Sequence, residues 1–146
     1  MTAQLPTIDE IIESFELLDD WEERYAYVIE LGRMLPPLAE EARTEANRVQ
    51  GCVSQVWLNT RVADGAPDDP VLEFEGDSDA LIVKGLVAIM IALNSGKPAS
   101  EICRTDVEAV LDRIKLREHL TPQRSNGLAA LVKRMKGEAE RRAAMA

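Results

Sequence analysis

Cys52 is the side chain in this sequence best placed for covalent chemistry, because of what stands on either side of it. It follows Gly51 within the stretch NRVQGCVSQVW, Asn47 to Trp57, and a strand-like run begins directly after it. Glycine admits backbone angles closed to other residues, so the chain can bend sharply there and present the next side chain at a loop tip. Beyond Val53, Val56, Leu58 and Val62 alternate with Gln55, Trp57, Asn59 and Arg61, the two-residue period of a half-buried strand. A thiol at a loop-to-strand junction is held on one side and can move on the other. That suits a nucleophile that must meet a partner and then withdraw. The competing reading is a small buried hydrophobe, which describes most free cysteines. Cys103, in a short predicted helix, takes that second reading, and His119, the only histidine, takes a structural role beside a helix end. Cys52, Cys103 and His119 lack the close ligand spacing of a zinc or cluster site. Trp57 is either core or an aromatic anchor at a docking surface.

Four blocks in order carry a resemblance to a known family: LGRMLPPL (Leu31 to Leu38), NRVQGCVSQVW, EGDSDALIVKGL (Glu75 to Leu86) and HLTPQRSNGL (His119 to Leu128). Together the sequence resembles the SufE family over nearly its whole length. These are the sulfur-accepting partners of SufS-type cysteine desulfurases in iron–sulfur cluster assembly. The resemblance implies an IscU/SufE-like fold and a sulfur-accepting cysteine at the position of Cys52. It implies an accessory role without a resident cofactor or metal, with a SufS- or CsdA-type desulfurase and a SufBCD-type scaffold as partners. Arg124 lies in the last block. It reads as a helix-entry arginine or as a cation that orients the cysteine loop or stabilises thiolate and persulfide, and Arg48 has a weaker claim to the same work. Asp77 and Asp79 read as turn and cap residues, with loop gating as the alternative. Gly51 supplies the bend. An IscU-like cluster scaffold or zinc-binding protein is the rival function, and it calls for several cysteines around one site where this chain offers one.

Composition narrows the field further. With 146 residues, 46% apolar and 29% charged, the chain suits one soluble globular domain spanning 1–146. The most apolar run, Ala80 to Leu93, contains Lys84 and is too short to span a bilayer. Two distant cysteines and no visible secretory signal point to a reducing cytoplasm. The net charge of −9 is unevenly spread: residues 1–47 hold 12 acids and 3 bases, whereas residues 113–146 hold 3 acids and 9 bases. Acidity without a basic, aromatic stripe argues against nucleic acid, and the basic end reads as a solvated helix face that orients a protein partner. Both a monomer and a homodimer are compatible with this pattern.

The elements that must position Cys52 follow from periodicity and punctuation. Thr7-Ile8-Asp9-Glu10 has the form of a capping box for a helix through Leu18, and Asp19 or Asp20 caps a second helix that Pro36-Pro37 stops. The two are expected to pair antiparallel. A charged connector with one helical turn, Leu38 to Val49, leads to the first strand. Ala63 to Pro70 is dense in turn formers and reads as an exposed hairpin loop, Val71 to Glu75 as the return strand, and Gly76 to Asp79 as a turn. A third short strand near Arg48–Val49, or a helix packed underneath, must complete the layer. Helix 80–93, apolar nearly all round, is the expected centre. Pro98 starts a short helix, Thr105 or Asp106 caps another through about Ile114, Thr121-Pro122 marks a break, and Ser125 or Asn126 opens the last helix. The fold class is α+β: a small antiparallel sheet with helices packed on one side.

Overall fold

The centre of the molecule is the apolar helix α3, Leu81–Asn94, in which Ile82, Gly85–Ile91, Leu93 and Asn94 are all buried. A helix with almost no polar face must be covered on every side, and the other elements do this. The protein is described here from a computed structural model covering residues 5–51, 54–66 and 68–145, excepting the side chains of 64–66, 117, 144 and 145. Helices α1 (Ile8–Glu16) and α2 (Trp21–Arg33) precede the sheet strands β1 (Val56–Ala66) and β2 (Asp69–Ser78). After α3 come the two-residue strand β3 (Lys97–Pro98) and helices α4 (Ala99–Arg104), α5 (Val107–Ile114) and α6 (Pro122–Met145). The architecture is α+β, with six α-helices and a three-stranded antiparallel sheet in the order β1-β2-β3 among the described residues.

The sheet has a covered and an open face. Val56, Leu58, Leu72 and Phe74 point into the core, while Arg61 on the other face pairs with Glu73 at 3.2 Å and Glu75 at 3.3 Å. Helix α2 lies along α3 through facing glycines. A Cβ on Gly85 would fall 2.1 Å from the Val28 carbonyl oxygen, and one on Gly32 would fall 2.8 Å from the Gly85 nitrogen. Only glycine permits that approach. Helix α1 packs mainly on α5 and α3, so α2's chief neighbour is α3 and not α1. Phe15 and Tyr27 still meet edge to face, with ring centroids 5.0 Å apart.

Local capping chemistry acts as the sequence predicts at three helix starts. Thr7 and Glu10 form a reciprocal capping box, Asp20 accepts from the Glu23 amide at 2.8 Å, and Asp106 accepts from the Ala109 amide at 3.1 Å. Three boundaries differ. The hairpin strands run through most of the predicted loop, β1 to Ala66 and β2 from Asp69, with an irregularity between Val62 and Gly65 that absorbs the turn-forming residues. Beside it Val62 is exposed, not core. Strand β2 also continues through Gly76, Asp77 and Ser78, because these pair with Leu58, Trp57 and Val56. Helix α6 starts at Pro122 and not at Ser125: Thr121 accepts from the Arg124 amide at 3.2 Å, and proline suits the first helical position.

The third strand is β3, on the far edge of β2. Arg48 does bridge to Trp57 on the near edge, reinforced by Val49 N–H to the Val56 carbonyl at 2.8 Å, so both edges carry a short addition. No helix of the described residues is long and apolar enough to cross a membrane.

Candidate functional site

Cys52 and Val53 lie outside the described residues, so the site is built from the chain on either side of them. Before Cys52, Gly51 has φ +94°, a left-handed conformation that a side chain would strain. A Cβ there would lie 3.3 Å from the Ala130 methyl of α6. The preceding stem is gripped by α6. Arg134 donates through Nη2 to the Ala46 carbonyl at 2.6 Å and through Nη1 to the Arg48 carbonyl at 3.3 Å. The Arg48 side chain turns to Glu45 at 3.5 Å.

After Cys52, Gln55 is the fixed point. Its amide donates to Asp79 Oδ1 at 3.0 Å, and its carbonyl accepts from the Ser78 hydroxyl at 2.8 Å and from the Asp79 amide at 3.3 Å. Asp79 therefore holds the strand side of the cysteine stretch and does not cap α3, whose N-cap is Ala80 without a side-chain bond. Nor does Asp77 cap it. Asp77 is 6% exposed and pairs with Arg43 and, at 3.3 Å, with Lys84. The guanidinium of Arg43 also lies 4.9 Å above the centre of the Trp57 ring. The cluster ties the connector, β2 and α3 together: a buried carboxylate needs such partners, and here two cations from different elements converge on it.

Between the start of β1, helix α3 and the first turns of α6 lies a cavity of about 250 Å³. Its walls include Ser54, Val56, Val83, Leu86, Arg124 and Leu128. Most of this lining is apolar, and Arg124 brings one permanent cation to it. Of the residues singled out in the sequence, Gly51, Arg48, Asp79 and Arg124 are thus placed around the two ends of the Gly51–Ser54 stretch, with Asp77 one layer behind. His119 stacks on Trp21 at 4.2 Å between centroids, a packing role. Cys103 is half-buried in α4; burial, with Glu140 adding to it, pushes its thiol above the usual range. A protonated thiol is a poor nucleophile. Among the described residues no group of three or more His, Cys, Asp or Glu side chains could hold a metal ion.

The sequence reading missed Arg134 and Glu138. Glu138 is 6% exposed and receives Arg134 at 3.0 Å, Arg141 at 2.6 Å and Arg142. Burial alone would raise its carboxyl pKa, but hydrogen bonds from the three arginines outweigh that and leave it lowered. The basic end of the chain is therefore not merely a solvated face: it is organised around a buried acid. The four-residue spacing Arg134–Glu138–Arg142 was the available signal.

Comparison with known proteins agrees with this architecture. Residues 9–139 match the SufE family, described as an Fe-S metabolism associated domain. An uncharacterized SufE-like protein of Rhizobium etli is 57% identical over 140 residues, covering 96% of this chain and 94% of that protein. Another from Rhizobium meliloti is 55% identical over 138 residues, covering 94% of this chain and 98% of that one. The solution structure of a hypothetical protein from Thermus thermophilus shares the fold, with a TM-score of 0.74 at 20% identity, over 99% of this chain and 100% of that one. The fold and these matches define a protein associated with iron–sulfur metabolism. The chain belongs to the SufE family.

Proposed function

We propose that this protein is a sulfur-accepting accessory protein of the cytoplasm. It takes sulfur from a SufS- or CsdA-type cysteine desulfurase onto Cys52 and passes it to a SufBCD-type scaffold. The observation that carries the reading is the cavity beside Ser54 and Val56, apolar in most of its lining and containing Arg124. It is large enough for a thiol and one further sulfur atom and too small for a folded partner.

The step is an exchange between sulfurs. The Cys52 thiolate attacks the outer sulfur of the desulfurase persulfide, R–S–SH. The S–S bond of the donor breaks as a new S–S bond forms on Cys52, and the donor cysteine leaves as thiolate with the electron pair. The products are Cys52–S–SH and R–S⁻, with no net oxidation. Rate depends on thiolate fraction, nucleophilicity and access. This chain contributes position and shelter. Gln55, clamped by Ser78 and Asp79, fixes one end of the cysteine stretch; Gly51 gives the other its turn; Arg124 favours an anionic sulfur in the cavity.

The experiment pairs the protein with a SufS-type desulfurase and free cysteine. Wild type is expected to stimulate sulfide release and gain one sulfur atom on Cys52 by mass spectrometry, and Cys52→Ser to do neither. Sulfur found on Cys103 instead would overturn the assignment.

A further inference from the structure

On the other flank of the cysteine stretch, residues 46–50 and the middle of α6 enclose an open groove of about 890 Å³. Lys133, Arg134, Arg141 and Arg142 line it against a single acid, Glu138, in a chain whose net charge is −9. Glu138 holds the three arginines as a preformed set, while Lys133 is exposed and the Arg141 side chain is 61% exposed.

A second, independent feature lies on the groove floor. Gly137 sits in the interior of a 24-residue helix, where glycine costs about 1 kcal/mol relative to alanine. Gly32 and Gly85 have a packing reason for being glycine, since another helix backbone occupies the space of their Cβ. At Gly137 nothing among the described residues, apart from its own turns of helix, lies within 4 Å of that position. Lys133 and Arg141 stand one turn before and one turn after it, about 12 Å apart along the axis. The pattern is a cationic cradle with a bare stretch of backbone in the middle.

We infer that this groove seats an acidic helix of the sulfur-donating desulfurase, whose backbone approaches α6 at Gly137 and whose carboxylates reach Lys133 and Arg141. The partner's identity rests on the sulfur-transfer reading; the chemistry of the surface does not. The groove's wall includes Val49 and Gln50, so a partner seated there is beside the cysteine stretch, and docking supplies the effective concentration that the exchange needs.

The test measures Kd for a SufS-type desulfurase by titration calorimetry from 50 to 300 mM salt. Wild type is compared with Gly137→Ala, the double reversal Lys133→Glu/Arg141→Glu, and Cys52→Ser. The double reversal should weaken binding at low salt by about tenfold or more and flatten the salt dependence. Gly137→Ala should raise the melting temperature by about 3 °C, as helix propensity dictates, and yet weaken docking; a merely structural glycine would not separate the two. Cys52→Ser should bind as wild type does and gain no sulfur. If wild type binds and takes up sulfur while the reversal and Gly137→Ala bind equally well, the groove is not the docking site and the sulfur-transfer reading stands. If Cys52→Ser still gains sulfur while the reversal weakens binding, the groove stands and the thiol assignment falls. No binding by wild type overturns both.

Discussion

The two hollows flanking the cysteine stretch share one wall, α6, and little else. The first, of about 250 Å³, is formed by the N-terminal turns of that helix with α3 and is mostly apolar around one arginine. The second, of about 890 Å³, is formed by its middle and is lined by four cations around one acid. The small one is the proposed shelter for a reactive sulfur, and it is too small to hold a protein. The large one is too open to shelter anything small and is suited to a charged surface. On the proposed reading one helix separates shelter from recognition along its length, and substitutions at its two ends should have different consequences.

The largest expected effect is on the charged side. Glu138→Ala leaves three arginines without their shared carboxylate and should destabilise the fold by about 2–3 kcal/mol, under the ~3–5 of a fully buried pair because Arg141 is exposed. Chemical denaturation at pH 7 measures it. Because the Glu138 pKa is lowered on folding, its contribution is complete above the ordinary value of 4.5 and is lost as pH falls through the lower, folded value. Glu138→Gln should accordingly show a shallower loss of stability below pH 4.5 than wild type does.

A smaller effect on the other side sharpens the contrast. Val83→Phe places a ring in the small cavity and should slow single-turnover sulfur uptake by about tenfold, or ~1.4 kcal/mol of barrier, while Kd for the desulfurase stays put. An equal loss of affinity would mean that the two hollows are not separate in function. Smallest of all, Asp79→Ala releases the Gln55 amide and should cost about 1 kcal/mol, with faster amide hydrogen exchange confined to residues near Gln55.

Much of the frame was legible because its signals are local. Thr7 with Glu10, Asp20 and Asp106 act on amides three residues away, and the run through α3 is apolar enough to identify the centre unaided. What was hidden depended on distant partners. Gly76, Asp77 and Ser78 look like a turn, yet β1 pairs with them and makes them strand. Asp79 has the composition of a cap, but the Gln55 amide, 24 residues away, claims its carboxylate. Glu138 resembles any surface acid until three arginines close over it. Of the candidate site, the Gly51 bend could be read from the chain, and Arg124 was singled out through the family resemblance, whereas the grip of Arg134 on two carbonyls more than 80 residues away left no trace in either stretch.

The placement of the two tryptophans has a practical consequence. Trp57 lies under the Arg43 guanidinium, five positions beyond Cys52, while Trp21 is stacked on His119. Ultraviolet emission therefore carries two contributions, one from the edge beside the cysteine stretch and one from the N-terminal helices. Replacing Trp21 with phenylalanine isolates the first and yields a label-free optical reporter for following partner arrival in real time.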